Sequence, residues 1–138
     1  MIKVGLLETD QEFEELLPLV RWFSEEAGVM LWQQVGEVAQ SFTSKGVIVI
    51  LGKIEGKVRS YLCGTYLGHG DFMISQIYSK DPSHTPKLIE CLENHAKNFG
   101  VVRILAFSKY DRRMFEKYGF QLERYVISKN LEKKEEGR

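Results

Sequence analysis

This sequence has no excess of charge of either sign. Its 138 residues contain 19 Lys and Arg against 19 Asp and Glu, so the net charge is zero when the histidines are neutral. A broad basic surface, which supplies most of the nonspecific affinity for nucleic acid, is therefore not expected. We predict no nucleic-acid partner.

Long apolar runs and cysteines are also scarce. No apolar run approaches the about 18 residues that a membrane-spanning helix needs, and the start of the chain lacks the charged and apolar regions of a secretory signal. Cys63 and Cys91 are too few for a disulfide framework, so we expect two reduced thiols. Cys91 and His95 have a metal-ligand spacing on one predicted helix, but without a second pair no metal site is predicted. The expectation is a cytoplasmic protein without a membrane partner.

The apolar residues that are present alternate in some segments and follow a helical period in others. They predict the element order β-α-α-β-β-β-α-β-α-β, which is an α+β fold with a mixed, mostly antiparallel sheet and helices on both faces. Pro18 lies inside the first helix, where we expect a kink or a break. A single domain is predicted over residues 1–131, followed by a charged tail at 132–138. The strands are expected at residues 2–7, 47–54, 58–67, 72–78, 102–108 and 121–131, and the helices at 9–28, 31–42, 85–100 and 111–119.

The loop before the third helix is the stretch that most suggests chemistry. A strand that runs through a short loop onto a helix N-terminus makes an anion site, because unpaired N–H groups and the positive end of the helix dipole converge there. Thr85 is a predicted N-cap, and Pro86 suits the first helical position. We expect an anion near these two residues.

This element order, together with FEKYGF at residues 115–120, resembles the GNAT N-acetyltransferase superfamily. The resemblance implies acetyl-CoA as a substrate and transfer of its acyl group to an amine of a small molecule or peptide. It also implies that the pantetheine arm pairs with a bulged strand at Ile77 and Tyr78, and that Ser108 hydrogen-bonds the ligand. The pyrophosphate site of the family maps to residues 80–87, where contacts are expected from Lys80, Ser83, His84, Thr85 and Lys87.

Two departures from the pattern of the family affect its chemistry. The pyrophosphate loop of the family has two glycines, whereas this chain has no glycine between Asp71 and Phe99. Phe115 stands where the family has a tyrosine acid, and phenylalanine has no proton to give. Tyr110 and Tyr118 are the candidates for a catalytic acid, with a packing role as the alternative for both.

Other polar residues have two interpretations each. His84 is a donor to phosphate or a solvated loop residue. Asp71, Gln76 and Glu37 could order an acceptor amine or a water, although a solvated surface role is favoured for Asp71 and Glu37. Trp22 and Trp32 flank the loop between the first two helices, and either one could form a wall of the acceptor site.

Two functions therefore remain open from the sequence. The first is an acyl-CoA-dependent N-acyltransferase whose catalysis depends on positioning and backbone polarisation. The second is a non-catalytic module of the same fold that binds a protein or another ligand. A homodimer is also left open.

Overall fold

The computed structural model describes residues 1–106, and Met1–Ile104 form one compact unit. The described residues form a mixed five-stranded sheet and three α-helices. The predicted short helix after Asp111, the strand at 121–131, and therefore the single domain over 1–131 and its tail, involve residues outside this range. The strands are β1 (Lys3–Leu6), β2 (Val47–Ile54), β3 (Lys57–Gly68), β4 (Asp71–Ser79) and β5 (Arg103–Ala106); the helices are α1 (Asp10–Ala27), α2 (Leu31–Gln40) and α3 (Thr85–Lys97), with a 3₁₀ turn at Pro82–His84.

The strands follow one another across the sheet in the order β1-β2-β3-β4-β5. β1 to β4 pair antiparallel, and α3 connects β4 to β5 beside it. None of the helices in residues 1–106 is long and apolar enough to cross a membrane. The mixed, mostly antiparallel sheet predicted from the sequence is confirmed.

Helices cover both faces of this sheet. Successive residues of a strand point to opposite faces, so Ser60 and Thr65 of β3 face opposite ways. Thr65 donates a hydrogen bond to α2, whereas Ser60 contacts His84 directly before α3. We name the face with α1 and α2 the first face, and the face with α3 the second face.

The ends of α1 lie where the sequence predicts them. Thr9 Oγ1 accepts the Glu12 N–H at 3.1 Å and Glu12 Oε1 accepts the Thr9 N–H at 3.1 Å, which completes a capping box. Gly28 ends the helix with a φ of 71°, a left-handed conformation that glycine adopts without strain. The local chemistry of this helix therefore decides its length.

Of the kink or break expected at Pro18, the break does not occur: α1 continues through that residue, and the kink stays a prediction. A proline inside a helix removes one hydrogen bond and costs about 3 kcal/mol. Leu16 and Val20, on either side of Pro18, are completely buried. Burial of the apolar stripe offsets the cost of the proline and keeps the helix continuous.

An ion pair joins the beginnings of β4 and β5. Arg103 Nε and Nη2 donate to Asp71 Oδ1 and Oδ2 at 3.2 and 3.0 Å. The hydrogen bond from Arg103 lowers the pKa of the Asp71 carboxyl below its ordinary value. Arg103 therefore holds Asp71. Neither of the two roles predicted for Asp71, ordering an acceptor amine or water and lying solvated at the surface, describes this arrangement.

We expect Asp71→Asn to lower the free energy of unfolding at neutral pH by about 0.5–1 kcal/mol, since the ion pair is partly exposed. The folded pKa lies below the ordinary 3.8. The stabilisation is therefore complete above that value and is lost as the pH falls through the folded pKa. Urea unfolding of both proteins at about pH 7 and about pH 3 measures this. A difference between them that stays the same at the lower pH would contradict the prediction.

Candidate functional site

The candidate site begins at a bulge in β4. Ser75 has no partner residue on β3, although Ile74 and Gln76 on either side of it pair with Gly64 and Cys63. The extra residue of a bulge is left out of the hydrogen-bond ladder. A bulge is therefore a place where a bound molecule can pair with the main chain of a strand.

This bulge lies two residues before the position that the resemblance implied. Ile77 and Tyr78 pair in regular register with Leu62 and Tyr61 of β3. The Tyr78 side chain lies on the first face of the sheet, where its ring centroid is 5.9 Å from that of Trp22. The implied place of the bulge is thus wrong, and the contact of Ile77 and Tyr78 with pantetheine stays a prediction.

A half-buried carboxylate from α2, that of Glu37, contacts the bulge. Its Oε2 accepts hydrogen bonds from Ser75 Oγ at 2.6 Å and Thr65 Oγ1 at 3.1 Å. Its Oε1 accepts one from Gln76 Nε2 at 2.8 Å. Ser75 Oγ also lies 3.2 Å from the Cys63 carbonyl, but its shorter, charge-assisted contact with Glu37 is the stronger one. The interpretation of Glu37 as a solvated surface residue is wrong, because donors from two strands hold it.

Gln76 is completely buried, and both N–H donors of its amide are used. Its Oε1 accepts a hydrogen bond from the Tyr61 hydroxyl at 2.7 Å, and its Nε2 also donates to the Gln34 carbonyl at 3.2 Å. These contacts leave no N–H donor for a water, and the complete burial of Gln76 keeps its carbonyl oxygen from an acceptor amine. The role of Gln76 is therefore to position Glu37.

Two other groups of this cluster are kept neutral. Burial raises the pKa of the Tyr61 phenol and of the Cys63 thiol well above their ordinary values, and the nearby Glu37 adds to both shifts. Both groups stay protonated at neutral pH. Cys63 is therefore no thiolate nucleophile, and Tyr61 remains a donor to Gln76.

The loop before α3 uses its own backbone donors. Asp81 Oδ1 accepts the Ser83 N–H at 3.0 Å, and the Asp81 carbonyl accepts the His84 N–H at 3.0 Å. The Thr85 N–H donates within the 3₁₀ turn, and residues 82 and 86 are prolines without an N–H. Every backbone donor of residues 82–86 is thus used or missing.

The cap of this segment is Asp81 and not Thr85. Thr85 is the first residue of α3 and Pro86 the second, one position later than predicted, and the N-cap of α3 is His84. Asp81 is exposed and caps the preceding 3₁₀ turn. The hydrogen bond from the Ser83 backbone lowers the pKa of Asp81. A carboxylate, which stays ionised at neutral pH, therefore already accepts a backbone donor of the loop that leads to the predicted anion site.

His84 is buried, although it belongs to this loop. The exposed fraction of its side chain is 4%, and its Nδ1 lies 3.0 Å from Ser60 Oγ on β3. A solvated loop residue would have an exposed ring, so that interpretation is wrong. The contact with Ser60 fixes the loop to the second face, and donation from His84 to a phosphate stays a prediction.

Five residues were predicted to contact the pyrophosphate. Three of them are exposed: Lys80, Ser83 and Lys87. Lys80 Nζ lies 4.0 Å from the ring centroid of Trp22, on the first face. Trp32, the other candidate for the acceptor site, is 69% exposed. Tyr110, Tyr118, Phe115 and Ser108 lie outside the described residues, so their roles stay predictions.

Neither a protein-family model nor a curated protein matches this sequence. Solved structures do resemble it. An aminoglycoside N-acetyltransferase in complex with CoA superposes with a TM-score of 0.73 at 10% identity, over 90% of this chain and 91% of that one. A ribosomal-protein-alanine N-acetyltransferase from Brucella melitensis has a TM-score of 0.68 at 11% identity, over 90% and 95%.

A third structure, an acetyltransferase assigned to the GNAT family from Desulfovibrio desulfuricans, has a TM-score of 0.70 at 14% identity, over 90% of this chain and 87% of that one. Identities this low show the fold and leave the activity open. The chain therefore has the GNAT fold, and the resemblance noted in the sequence is confirmed at that level.

Proposed function

We propose that this protein is an N-acyltransferase that moves an acyl group from acyl-CoA to an amine, which Glu37 binds. The observation that carries the proposal is the hydrogen-bonded carboxylate of Glu37 at the β4 bulge. A fixed carboxylate attracts an ammonium and can accept its proton. Acetyltransferases of the same fold, one of them in complex with CoA, support acetyl-CoA as the donor.

The reaction forms a bond from the amine nitrogen to the acyl carbon and breaks the carbon–sulfur bond. The ammonium must lose a proton before it attacks, and Glu37 is positioned to take that proton directly or through a water. Main-chain N–H groups at the Ser75 bulge are the candidates to polarise the thioester carbonyl. The nitrogen loses a second proton to solvent as the amide forms. CoA leaves as a thiolate, since its thiol is acidic enough, and takes up one proton from solvent, so the net reaction releases one proton.

The residues of this chain fit the two ends of CoA unequally. The bulge suits the pantetheine arm, which can pair with a strand, whereas the 3₁₀ turn directly before α3 is already capped by Asp81. Lys80 and Lys87 are the exposed cations of the predicted site that can hold the phosphates. We therefore expect weak and salt-sensitive affinity for acyl-CoA.

A non-catalytic binding module of the same fold is the second candidate function. The used backbone donors of residues 82–86 favour it, because a phosphate there would have to displace a carboxylate. This module would keep the Glu37 cluster as a binding site for a cationic group and would have no use for acyl-CoA.

Calorimetry with acetyl-CoA and an assay of CoA release over a panel of amines separate the two functions. Under the first, acetyl-CoA binds with a Kd of about 0.01–1 mM, raising the salt weakens it, and at least one amine releases CoA. Lys87→Ala should weaken binding about 3-fold or more, whereas Lys97→Ala, at the other end of α3, should not. No binding at about 5 mM acetyl-CoA would reject the first function and favour the module.

A further inference from the structure

A cation already lies on an aromatic face beside the proposed amine site. Lys80 Nζ is 4.0 Å from the ring centroid of Trp22, and that ring is tilted by 36° against the ring of Tyr78. Tryptophan is the side chain whose face attracts an ammonium most strongly, and the attraction grows as water is removed. Both rings are half-buried, so water reaches this face from fewer directions.

The aromatic pair and the Glu37 cluster share one strip of the sheet. Tyr78 follows Gln76 by two residues on β4, so both side chains point to the first face, and their Cα atoms lie about 7 Å apart. Gln76 donates to Glu37. The face of Trp22 and the carboxylate of Glu37 therefore contact neighbouring first-face positions of β4.

A second carboxylate, that of Glu26, lies close to the aromatic pair. Glu26 follows Trp22 by four residues on α1, so the two side chains share one face of that helix. Burial raises the pKa of Tyr78, and the charge of Glu26 raises it further, so the phenol stays neutral. Aromatic faces next to a carboxylate are the chemistry that recognises an organic ammonium over a neutral or anionic molecule.

We propose that Trp22 and Tyr78 form a binding site for an organic ammonium, and that the ammonium of Lys80 occupies this site until a ligand displaces it. An incoming alkylammonium takes the position over Trp22, and Lys80 moves back into solvent. The role of this ligand as acyl acceptor rests on the proposed function. An acceptor that uses both subsites carries two cationic nitrogens, one over Trp22 and one at Glu37, so we assign the acceptor to the diamines.

Fluorescence titration of the protein without CoA tests the ammonium site. The chain has two tryptophans, so Trp32→Phe leaves Trp22 as the only reporter. At constant ionic strength, we expect choline to change its fluorescence with saturation in about the millimolar range, and the uncharged isostere 3,3-dimethylbutan-1-ol to bind at least about 10-fold more weakly. An equal response to both would overturn the site.

Removing the competitor tests the role of Lys80. In the same background, Lys80→Ala should tighten choline binding by about 3- to 10-fold, whereas Lys97→Ala, an exposed lysine on the other face of the sheet, should leave it unchanged. Unchanged or weaker binding in Lys80→Ala would contradict displacement. A merely structural Lys80 would lower the thermal stability of the variant without tightening its affinity.

Comparing the affinities of a diamine and a monoamine tests the assignment of the acceptor to the diamines. 1,4-Diaminobutane should bind more tightly than butylamine by about 5-fold or more, and Glu37→Gln should remove that advantage without weakening butylamine. Equal affinities in the starting protein would reject the second subsite. These titrations need no acyl-CoA, so binding without acyl transfer rejects only the proposed function, and transfer without ammonium binding rejects only this site.

Discussion

Glu37→Gln should lower the rate of acyl transfer by about 10²- to 10⁴-fold while the protein keeps its fold. The amide has the same shape as the carboxylate and can still accept hydrogen bonds from Ser75 and Thr65, but it neither attracts an ammonium strongly nor takes its proton. The loss should fall mainly on kcat, because Glu37 takes a proton in the reaction. The KM for the acyl donor should stay the same, because Glu37 contacts the amine and not the donor. Initial rates of CoA release with the best amine of the panel measure it.

Glu25→Gln is the matched control, since Glu25 is an exposed carboxylate on α1. It should change the rate by less than about 2-fold. Acetyl-CoA affinity and thermal unfolding of both variants complete the comparison. A Glu37→Gln protein with an unchanged rate would show that this carboxylate neither binds the amine nor takes its proton. A variant with a lowered unfolding temperature would show that the role of Glu37 is structural.

The second large effect concerns the strand that faces the bulge. A Cβ added at Gly64 would lie 2.4 Å from Phe72 Cε1 and 2.5 Å from the Met73 carbonyl oxygen. Phe72 is completely buried and the carbonyl belongs to the neighbouring strand, so neither can yield easily. We expect Gly64→Ala to lower the free energy of unfolding by about 1–3 kcal/mol, as measured by urea unfolding.

Gly36→Ala makes this prediction sharper, because its effect should have the opposite sign. Gly36 lies inside α2, and a Cβ there meets no atom within 4 Å. Alanine should therefore raise the stability by about 0.5–1 kcal/mol through its better helix propensity. Similar losses in both variants would mean that the space around Gly64 does not limit the side chain.

The fold could be predicted from the sequence because its signals are local. The capping box at Thr9 and Glu12, the glycine at position 28 and the β-branched run of β2 each depend on residues within a few positions. At Pro18 the local signal allows a break that does not occur, since tertiary burial of the residues beside it outweighs the cost of the proline.

The site could not be predicted in the same way because it depends on distant residues. The donors to Glu37, which are Thr65, Ser75 and Gln76, are 28, 38 and 39 residues away from it. Which side chain of α2 lies over β4 is set by packing across the sheet, and the bulge shifts that register once more. Likewise, His84 contacts Ser60, which is 24 residues away and which no pattern in the loop itself indicates.

Lys80 and Asp81 are consecutive residues, and under the two proposals each occupies the position of a charged ligand. The Lys80 ammonium lies over Trp22, while the Asp81 carboxylate caps the N-terminal turn before α3. Under the two proposals, a cationic acceptor competes with the first and a phosphate with the second. Each apparent affinity is then the intrinsic one multiplied by the fraction of time that the tethered competitor is away. Movement of one dipeptide would free both positions, so an amine and an acyl-CoA that each favour the displaced segment would strengthen the binding of one another equally.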